Sequence, residues 1–246
     1  MIDGGYLLVA AADTGALLPM KNPAFAERAF AWAPDGRHIA WIPQRSDVRP
    51  VDIEILAVGS AFTPVATGTN ASSVTYGDRG RQVIFANSDT TELIEYPENP
   101  FTVRAGGVYS VPASAETDAV LSARTPGFTR QGWGYGNITT LDSGAVVFTA
   151  QEVMPGATTS AVIQILDKGS SQPRTIVTDL ANKPTCRHYP HGGQVCNASQ
   201  GPISGAGDIV AYLDSSPETY LVVTDIGNRK PTRIDKGVDS FAFPPR

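Results

Sequence analysis

The amino-acid sequence predicts an all-β protein, and three observations support this fold class. Residues of high β-propensity are concentrated in short runs, about four to seven residues long, that alternate with turn-forming residues. No longer stretch repeats apolar residues at the spacing i, i+3, i+4, i+7 that an amphipathic helix requires. The chain has 24 glycines and 19 prolines among its 246 residues. Their combined share, about 17 per cent, exceeds the usual share of about 12 per cent, and these residues supply the turns that many short strands need.

A unit made of a strand, a tight turn rich in Asp and Gly, and an apolar strand recurs along the chain. It is clearest in residues 29–41, AFAWAPDGRHIAW, and returns in residues 74–85, 138–148 and 202–212. The turn glycines, at intervals of 44, 64 and 63 residues, are Gly36, Gly80, Gly144 and Gly207. Because a four-stranded propeller blade needs about 40–45 residues, each interval accommodates one blade, and the two longer intervals leave roughly 20 residues for loops.

Each unit is followed by a second pair of predicted strands, which completes four strands per unit. These pairs are residues 53–58 with 64–67, 107–111 with 119–121, 161–166 with 174–178, and 220–225 with 231–235. The sequence therefore predicts a single-domain β-propeller of four-stranded antiparallel blades. The four continuous blades are predicted at residues 28–68, 73–122, 135–179 and 200–236.

The two ends of the chain together predict a fifth blade. Residues 6–10 and 16–18 have the pattern of two outer strands, joined by a hairpin turn at residues 13–15, Asp-Thr-Gly. Residues 240–245 resemble the first strand of the clearest unit. Pairing the two ends would close the ring and remove exposed strand edges, so we expect five blades or part of a larger propeller. The fifth blade joins residues 1–20 with residues 238–246.

The clearest unit also carries a family resemblance. Residues 30–41, FAWAPDGRHIAW, closely resemble the TolB-like, WD40-like (PD40) propeller repeat, whose consensus reads W-S-P-D-G-x-x-I-A-F. The resemblance implies a β-propeller of a kind found mostly in bacterial envelope and secreted proteins. It implies no single activity, because a fold does not determine function. The aromatic residues predicted to form the core are Trp32, Trp41, Phe85 and Phe148.

Composition and motifs argue against several classes of function. A net charge of −5 lacks the basic excess that is typical of nucleic-acid binding proteins. The longest apolar run, residues 6–12, is too short to span a bilayer. The sequence has no Gly-x-Ser-x-Gly, His-Glu-x-x-His, Walker or dinucleotide-binding motif. We therefore expect no cofactor and no bound metal, and the sequence favours a non-enzymatic role while leaving enzymatic activity open.

The two cysteines, Cys186 and Cys196, flank a loop-like segment that contains a proline and a glycine pair. An even cysteine count favours a disulfide if the protein is exported, and closing so short a loop would stabilise it by about 2–3 kcal/mol. Two alternatives stay open. The cysteines could be free thiols, or they could form a metal site with His188 and His191, although the spacing differs from that of common zinc sites.

The longest predicted connections lie at one end of the blades, where second-to-third loops and blade-to-blade links meet. Long loops on a rigid scaffold often carry recognition, and exposed aromatic and arginine side chains are typical interface anchors. The predicted ligand-binding residues in these loops are Tyr96, Arg104, Phe128, Trp133, Tyr135, His188, Tyr189 and His191. The equally favoured alternative is that these aromatics only hold their own loops in place.

The predicted function is that of an extracytoplasmic binding or sensing module. It would recognise a protein or carbohydrate partner on the face that carries the long loops, without nucleic acid and without a membrane span in this chain. The family resemblance implies an alternative, a metal-dependent polysaccharide lyase-type propeller or a peptidase-accessory propeller. In the lyase case His188 and His191 would bind a divalent metal.

Overall fold

The structure of the protein is a computed structural model. This structure describes residues 9–11, 13–17, 29–42, 53–57, 62–66, 71–87, 107–113, 125–129, 133–152, 161–180, 185–188, 194–197, 203–214, 219–228, 230–238 and 241. Within these ranges the chain forms strands and turns, with one short 3₁₀ turn at Asp78–Gly80. The all-β prediction is confirmed for this part of the chain.

Eighteen strands are described. They are β1 (Ala29–Trp32), β2 (His38–Ile42), β3 (Ile53–Ala57), β4 (Phe62–Ala66), β5 (Ala71–Gly77), β6 (Gln82–Asn87), β7 (Gly107–Pro112), β8 (Thr125–Thr129), β9 (Trp133–Thr140), β10 (Val146–Glu152), β11 (Ala161–Leu166), β12 (Arg174–Leu180), β13 (Thr185–His188), β14 (Gln194–Asn197), β15 (Ile203–Ala206), β16 (Ile209–Asp214), β17 (Tyr220–Asp225) and β18 (Pro231–Lys236).

The strands form four four-stranded sheets and one two-stranded hairpin. The sheets have the sequential orders β1-β2-β3-β4, β5-β6-β7-β8, β9-β10-β11-β12 and β15-β16-β17-β18, and β13 pairs with β14. The chain divides into two compact units. One comprises Met1–Phe85, Tyr109–Pro126 and Pro245–Arg246, and the other comprises Ala86–Val108 and Gly127–Pro244.

In the first unit, the apolar face of β1 and β2 packs against β5. Ala31, Ala40 and Ile55 lie on one row of cross-strand neighbours and belong to this cluster. Trp41 and Phe85 are buried, as predicted. The prediction for Trp32 is wrong, because its side chain is 41% exposed. β1 is the edge of its sheet, and Trp32 points to the face opposite Ala31, so that few neighbours cover the indole.

In the second unit, sheets β9–β12 and β15–β18 share one core, and their first strands β9 and β15 are in contact. Phe148 is fully buried, as predicted. Gly205 allows the close approach of the two first strands, because a Cβ at this position would lie 2.3 Å from Cδ2 of Leu141. The core of this unit is therefore formed by two sheets facing each other.

The predicted turns have the expected backbone conformations. The four turn glycines all adopt positive φ, with values of 64° at Gly36, 88° at Gly80, 81° at Gly144 and 58° at Gly207. The Asp-Thr-Gly segment at residues 13–15 is a hairpin turn, since the Ala11 amide donates to the Ala16 carbonyl over 2.9 Å and Ala10 bridges Leu17.

Two predicted loops contain strands instead. The fourth strand of the second sheet is β8, which lies after the predicted position at residues 119–121, and β9 begins at Trp133 rather than after residue 136. The early start of β9 comes from a β-bulge between Phe148 and Thr149, which lets pairing continue to Glu152. The predicted loop 181–201 contains the hairpin β13–β14, whose four-residue strands are too short for a clear periodic signal.

Candidate binding site

A pocket of about 340 Å³ opens between the two large sheets of the second unit. Its size lies at the lower end of the range for small-molecule sites, about 300–1,000 Å³. The lining residues come from the last strand of one sheet and from three strands of the other. They are Val177, Thr178, Leu180, Tyr212, Asp214, Val222, Pro231 and Arg233.

The alternation of β-strands explains why these side chains meet. One row of cross-strand neighbours runs from Ile203 through Tyr212 and Val222 to Arg233. Asp214 lies two residues after Tyr212 and therefore points to the same face of the sheet. The row begins in the apolar core at Ile203 and ends at the sheet edge with Arg233.

Asp214 has few partners for a largely buried carboxylate. Its Oδ1 atom is buried and has no hydrogen-bond partner. Its Oδ2 atom lies 3.6 Å from Nη2 of Arg233, which is longer than the 2.7–2.9 Å of a charge-assisted hydrogen bond. The Asp214 side chain is only 22% exposed, so water compensates little for the missing bonds. A buried acceptor without a donor costs about 1–3 kcal/mol.

Arg233 is held at the mouth of the pocket by an aromatic ring. Its Cζ atom lies 4.4 Å from the centroid of the Tyr220 ring, well within the range of a cation–π interaction. The arginine side chain remains 55% exposed. Its guanidinium group therefore has a defined position while most of its donors can still reach a ligand.

Tyr212 supplies a neutral hydroxyl beside these two charges. Its pKa is raised to about 12, mainly by burial and also by the negative charge of Asp214, while the positive charge of Arg233 acts in the opposite direction. The phenol is thus protonated at neutral pH. The pocket combines one anion, one cation and one neutral phenol with aliphatic walls.

One wall of the pocket and the cysteine hairpin both lie next to the end of β12. Leu180 and Asp214, which both line the pocket, are the last residues of β12 and β16. Four residues connect Leu180 to Thr185, the first residue of β13, so the hairpin begins at most about 18 Å from the pocket wall. This is the end of the blades where the sequence predicts recognition.

The hairpin register places Cys186 directly opposite Cys196. Facing residues of an antiparallel pair have Cα atoms about 4.5–5.5 Å apart, which lies within the range of about 4.4–6.8 Å that a disulfide requires. The backbone is therefore compatible with the predicted disulfide, and the bridge itself stays a prediction.

The structure places the predicted ligand-binding residues in different environments. Tyr135 is 2% exposed, and its ring centroid lies 5.6 Å from that of Phe148. This core position differs from the exposed position that ligand binding needs. Trp133 is half-buried at the start of β9. Phe128 and His188 lie in β8 and β13, where only the backbone is described. Tyr96, Arg104, Tyr189 and His191 lie outside the described residues.

Sequence reasoning missed Asp214 and Arg233, because both lie in segments that were interpreted only as blade strands. A signal was present. Residues 209–214, IVAYLD, are apolar up to a terminal carboxylate, and residues 231–236, PTRIDK, carry three charged side chains in and next to a predicted strand. A strand that carries several charged side chains is typical of a sheet edge.

Among the residues with described side chains, no group of three or more His, Cys, Asp or Glu side chains is placed to hold a metal ion. The alternative ligand set of Cys186, His188, His191 and Cys196 lies outside that part of the chain. The described residues also contain no helix long and apolar enough to cross a membrane.

Comparison with known proteins identifies the fold. No protein-family model and no curated protein sequence matches the chain. Among solved structures, TolB from Acinetobacter baumannii is similar over 96% of this chain and 50% of its own, with a TM-score of 0.62 and 11% identity. An oligogalacturonate lyase in complex with manganese is similar over 96% of this chain and 61% of its own, with a TM-score of 0.56 and 11% identity. The tricorn protease is similar over 97% of this chain and 25% of its own, with a TM-score of 0.56 and 9% identity.

These similarities, at such low identity, concern the fold alone. The protein has the TolB-like β-propeller fold, built of four-stranded antiparallel blades, as the repeat predicts. The chain spans half of the TolB chain and about three fifths of the lyase chain. The number of blades stays a prediction.

Proposed function

We propose that this protein is a non-enzymatic, extracytoplasmic binding module that recognises a protein or carbohydrate partner at the long-loop end of its blades. The observation that supports this most directly is the pocket beside the ends of β12 and β16, where Oδ1 of Asp214 has no hydrogen-bond donor and Arg233 is held in reach of a ligand. A cleft in which a few polar groups are held in fixed positions is typical of recognition sites.

The chemistry of the pocket supports binding rather than catalysis. Tyr212, with a pKa of about 12, is a poor proton donor or acceptor near neutral pH, where efficient general acid–base catalysts have pKa values close to the working pH. Asp214 and Arg233 carry opposite charges side by side. Such a pair can hold complementary donors and acceptors of a partner.

The register of β13 and β14 is compatible with a disulfide between Cys186 and Cys196, which stays a prediction. A disulfide between these positions would persist only in an oxidising compartment. The resemblance of the repeat to those of envelope and secreted propellers supports an extracytoplasmic location.

The experiment screens the full chain against a glycan array and a random peptide display library. It compares the wild type with Arg233→Ala and with a matched control, Arg81→Ala. Arg81 is also an exposed arginine in an ion pair, 2.7 Å from Asp78 in the first unit. We expect the wild type and Arg81→Ala to bind members of one library and Arg233→Ala to bind them at least tenfold more weakly.

Two outcomes would contradict the proposal. One is that neither library yields a ligand whose binding depends on Arg233. The other is a stoichiometric divalent metal in the purified protein together with turnover of an acidic polysaccharide, which would favour the lyase-type alternative.

A further inference from the structure

The two charged groups of the pocket differ in how deeply they lie. Oδ1 of Asp214 is buried and has no hydrogen-bond partner among the described residues. The Arg233 side chain is 55% exposed and lies over the Tyr220 ring at the mouth. A ligand that enters the pocket therefore meets a guanidinium group first and a carboxylate further in. It has to carry a donor at its leading end and an acceptor close behind it.

The short distance between the two charges limits which ligands fit. Oδ2 of Asp214 lies 3.6 Å from Nη2 of Arg233, so a charge brought to one group also lies close to the other. A lone anion is opposed by Asp214, and a lone cation is opposed by Arg233. A ligand that carries a positively charged donor and an acceptor oxygen on neighbouring atoms avoids both repulsions.

An α-ammonium group beside a carbonyl has this arrangement. The nitrogen and the carbonyl carbon are bonded to the same Cα atom, which places the donor and the acceptor oxygen about 3 Å apart. The ammonium group has three N–H donors, and hydrogen bonds that involve charged groups are about twice as strong as neutral ones. It therefore compensates the buried carboxylate of Asp214 better than a hydroxyl group or an amide does.

We propose, building on the proposed function, that the pocket binds the N-terminal residue of a polypeptide partner, with its α-ammonium group at Asp214 and its carbonyl oxygen at Arg233. Val177, Leu180 and Val222 provide an aliphatic wall for the side chain of that residue. The rest of the partner chain leaves through the mouth of the pocket. Capture of an N-terminal amine is one of the recurring modes of peptide recognition.

A chain end suits this pocket better than a carbohydrate does. Unmodified sugars carry hydroxyl groups without a formal charge, so they offer the Asp214 carboxylate only neutral donors. The pocket volume of about 340 Å³ is near the lower limit for small-molecule sites, which favours one terminal residue over several sugar rings. A free amino acid has the same ammonium group and adjacent oxygen, so the experiment separates these two sources.

The test measures binding of matched small probes to the full chain by isothermal titration calorimetry at pH 7, where an α-amine is mostly protonated. Leucyl-glycyl-glycinamide carries the amine, the carbonyl and an aliphatic side chain. Its N-acetyl form lacks the ammonium charge, and 3-methylbutylamine keeps the amine and the aliphatic group without the carbonyl. We expect each of these two controls to bind at least tenfold more weakly than the tripeptide. N-acetyl-lysinamide, whose ammonium group is remote from its carbonyls, should bind equally weakly.

Two variants assign each group of the probe to its residue, since each should change a preference rather than only weaken binding. Asp214→Asn keeps the shape of the side chain without its charge and should abolish the difference between the tripeptide and its N-acetyl form. Arg233→Ala should abolish the difference between the tripeptide and 3-methylbutylamine. Arg81→Ala, the matched control in the first unit, should keep both differences. Thermal melting of each variant checks that it folds.

Equal binding of the free and the N-acetylated tripeptide would overturn the inference. A preference for the free amine that persists in Asp214→Asn would also overturn it, because the carboxylate would then not be the partner of the amine. Binding of free leucine without binding of the tripeptide would support recognition of the amine and overturn the polypeptide partner.

The failure of this inference is distinguishable from that of the proposed function. Glycan binding that depends on Arg233, without binding of any amine probe, would support the proposed function and overturn the N-terminal ligand. The absence of binding to the probes, the glycan array and the peptide library would overturn both proposals.

Discussion

Each unit of the molecule contains a tyrosine–aspartate–base cluster, and the two clusters differ in how completely the aspartate is satisfied. In the first unit, Asp35 accepts hydrogen bonds from the amides of Arg37 and His38 over 2.8 and 3.2 Å, and its Oδ2 lies 2.6 Å from Nδ1 of His38. In the second unit, Asp214 has only the 3.6 Å approach of Arg233.

Under the proposed function, Asp35 is a structural aspartate and Asp214 is a binding one. Asp35 is half-exposed and fully bonded within its own turn, so its bonds stabilise the turn and leave little for a partner. Asp214 is more buried and poorly bonded, so its carboxylate destabilises the fold. Its Oδ1 atom can still accept a hydrogen bond from a ligand. Groups that cost stability without an internal reason are commonly kept for function.

The largest expected effect is on stability at the binding aspartate. Asp214→Leu removes an unsatisfied buried carboxylate and extends the apolar wall, so we expect the free energy of unfolding to rise by about 1–2 kcal/mol. The measurement is urea unfolding at pH 7, with Arg233→Ala as the control for loss of the ion pair alone. A fall in stability would show that Asp214 is structural, like Asp35.

The next largest effect is a loss of stability, on substitution of Asp35. Asp35→Ala removes the acceptor of two backbone amides and of His38, so we expect the free energy of unfolding to fall by about 1 kcal/mol. Asp35→Asn serves as the matched variant, because an amide oxygen can still accept from the turn and should recover part of the loss. A neutral result for Asp35→Ala would remove the contrast between the two aspartates.

These two residues also show what the sequence could predict. The Asp35 turn lies within the motif Pro34-Asp35-Gly36, where neighbours along the chain determine the structure, and it was predicted correctly. The pocket depends on Leu180, Asp214 and Arg233, which are far apart in the sequence and meet through the packing of two sheets. No local pattern encodes that proximity.

Burial at sheet edges was the other limit of sequence reasoning. The repeat predicts Trp32 in the core, but the exposure of a side chain on the first strand depends on what covers that edge, and periodicity carries no such information. Tyr135 shows the converse, since a residue in a predicted loop becomes part of the core because β9 continues past its own bulge at Asn137 and keeps pairing with β10.

A smaller effect concerns pH. The hydrogen bond from the Arg37 amide, with further contributions from His38, holds the pKa of Asp35 below its usual value. A lowered carboxyl pKa stabilises the folded state above the unfolded pKa near 4, and this contribution is lost as pH falls through the folded value. We therefore expect the stability difference between the wild type and Asp35→Ala to be full at pH 6 and to shrink below pH 4. A difference that persists unchanged at pH 3 would contradict this.

The smallest expected effect is on the pKa values of the two buried tyrosines, Tyr76 and Tyr212. Burial, which is the main cause, and the charge of Asp35 raise the pKa of Tyr76 well above its usual value, whereas Tyr212 reaches about 12 with Asp214 raising its pKa and Arg233 opposing it. In an alkaline absorbance titration, Asp214→Leu should lower the Tyr212 pKa by a fraction of a unit, and Arg233→Ala should raise it.

The same titration can be made on a variant of the first unit as a comparison. There Asp35→Ala should lower the pKa of Tyr76. Because a raised tyrosine pKa stabilises the fold below pH 10 and loses that contribution as pH rises through the folded value, the titration must be read before unfolding begins. Opposite shifts for Asp214→Leu and Arg233→Ala would show that both charges act on the phenol inside the pocket. Shifts of the same sign would mean that the variants only change its burial, and the electrostatic description of the site would be wrong.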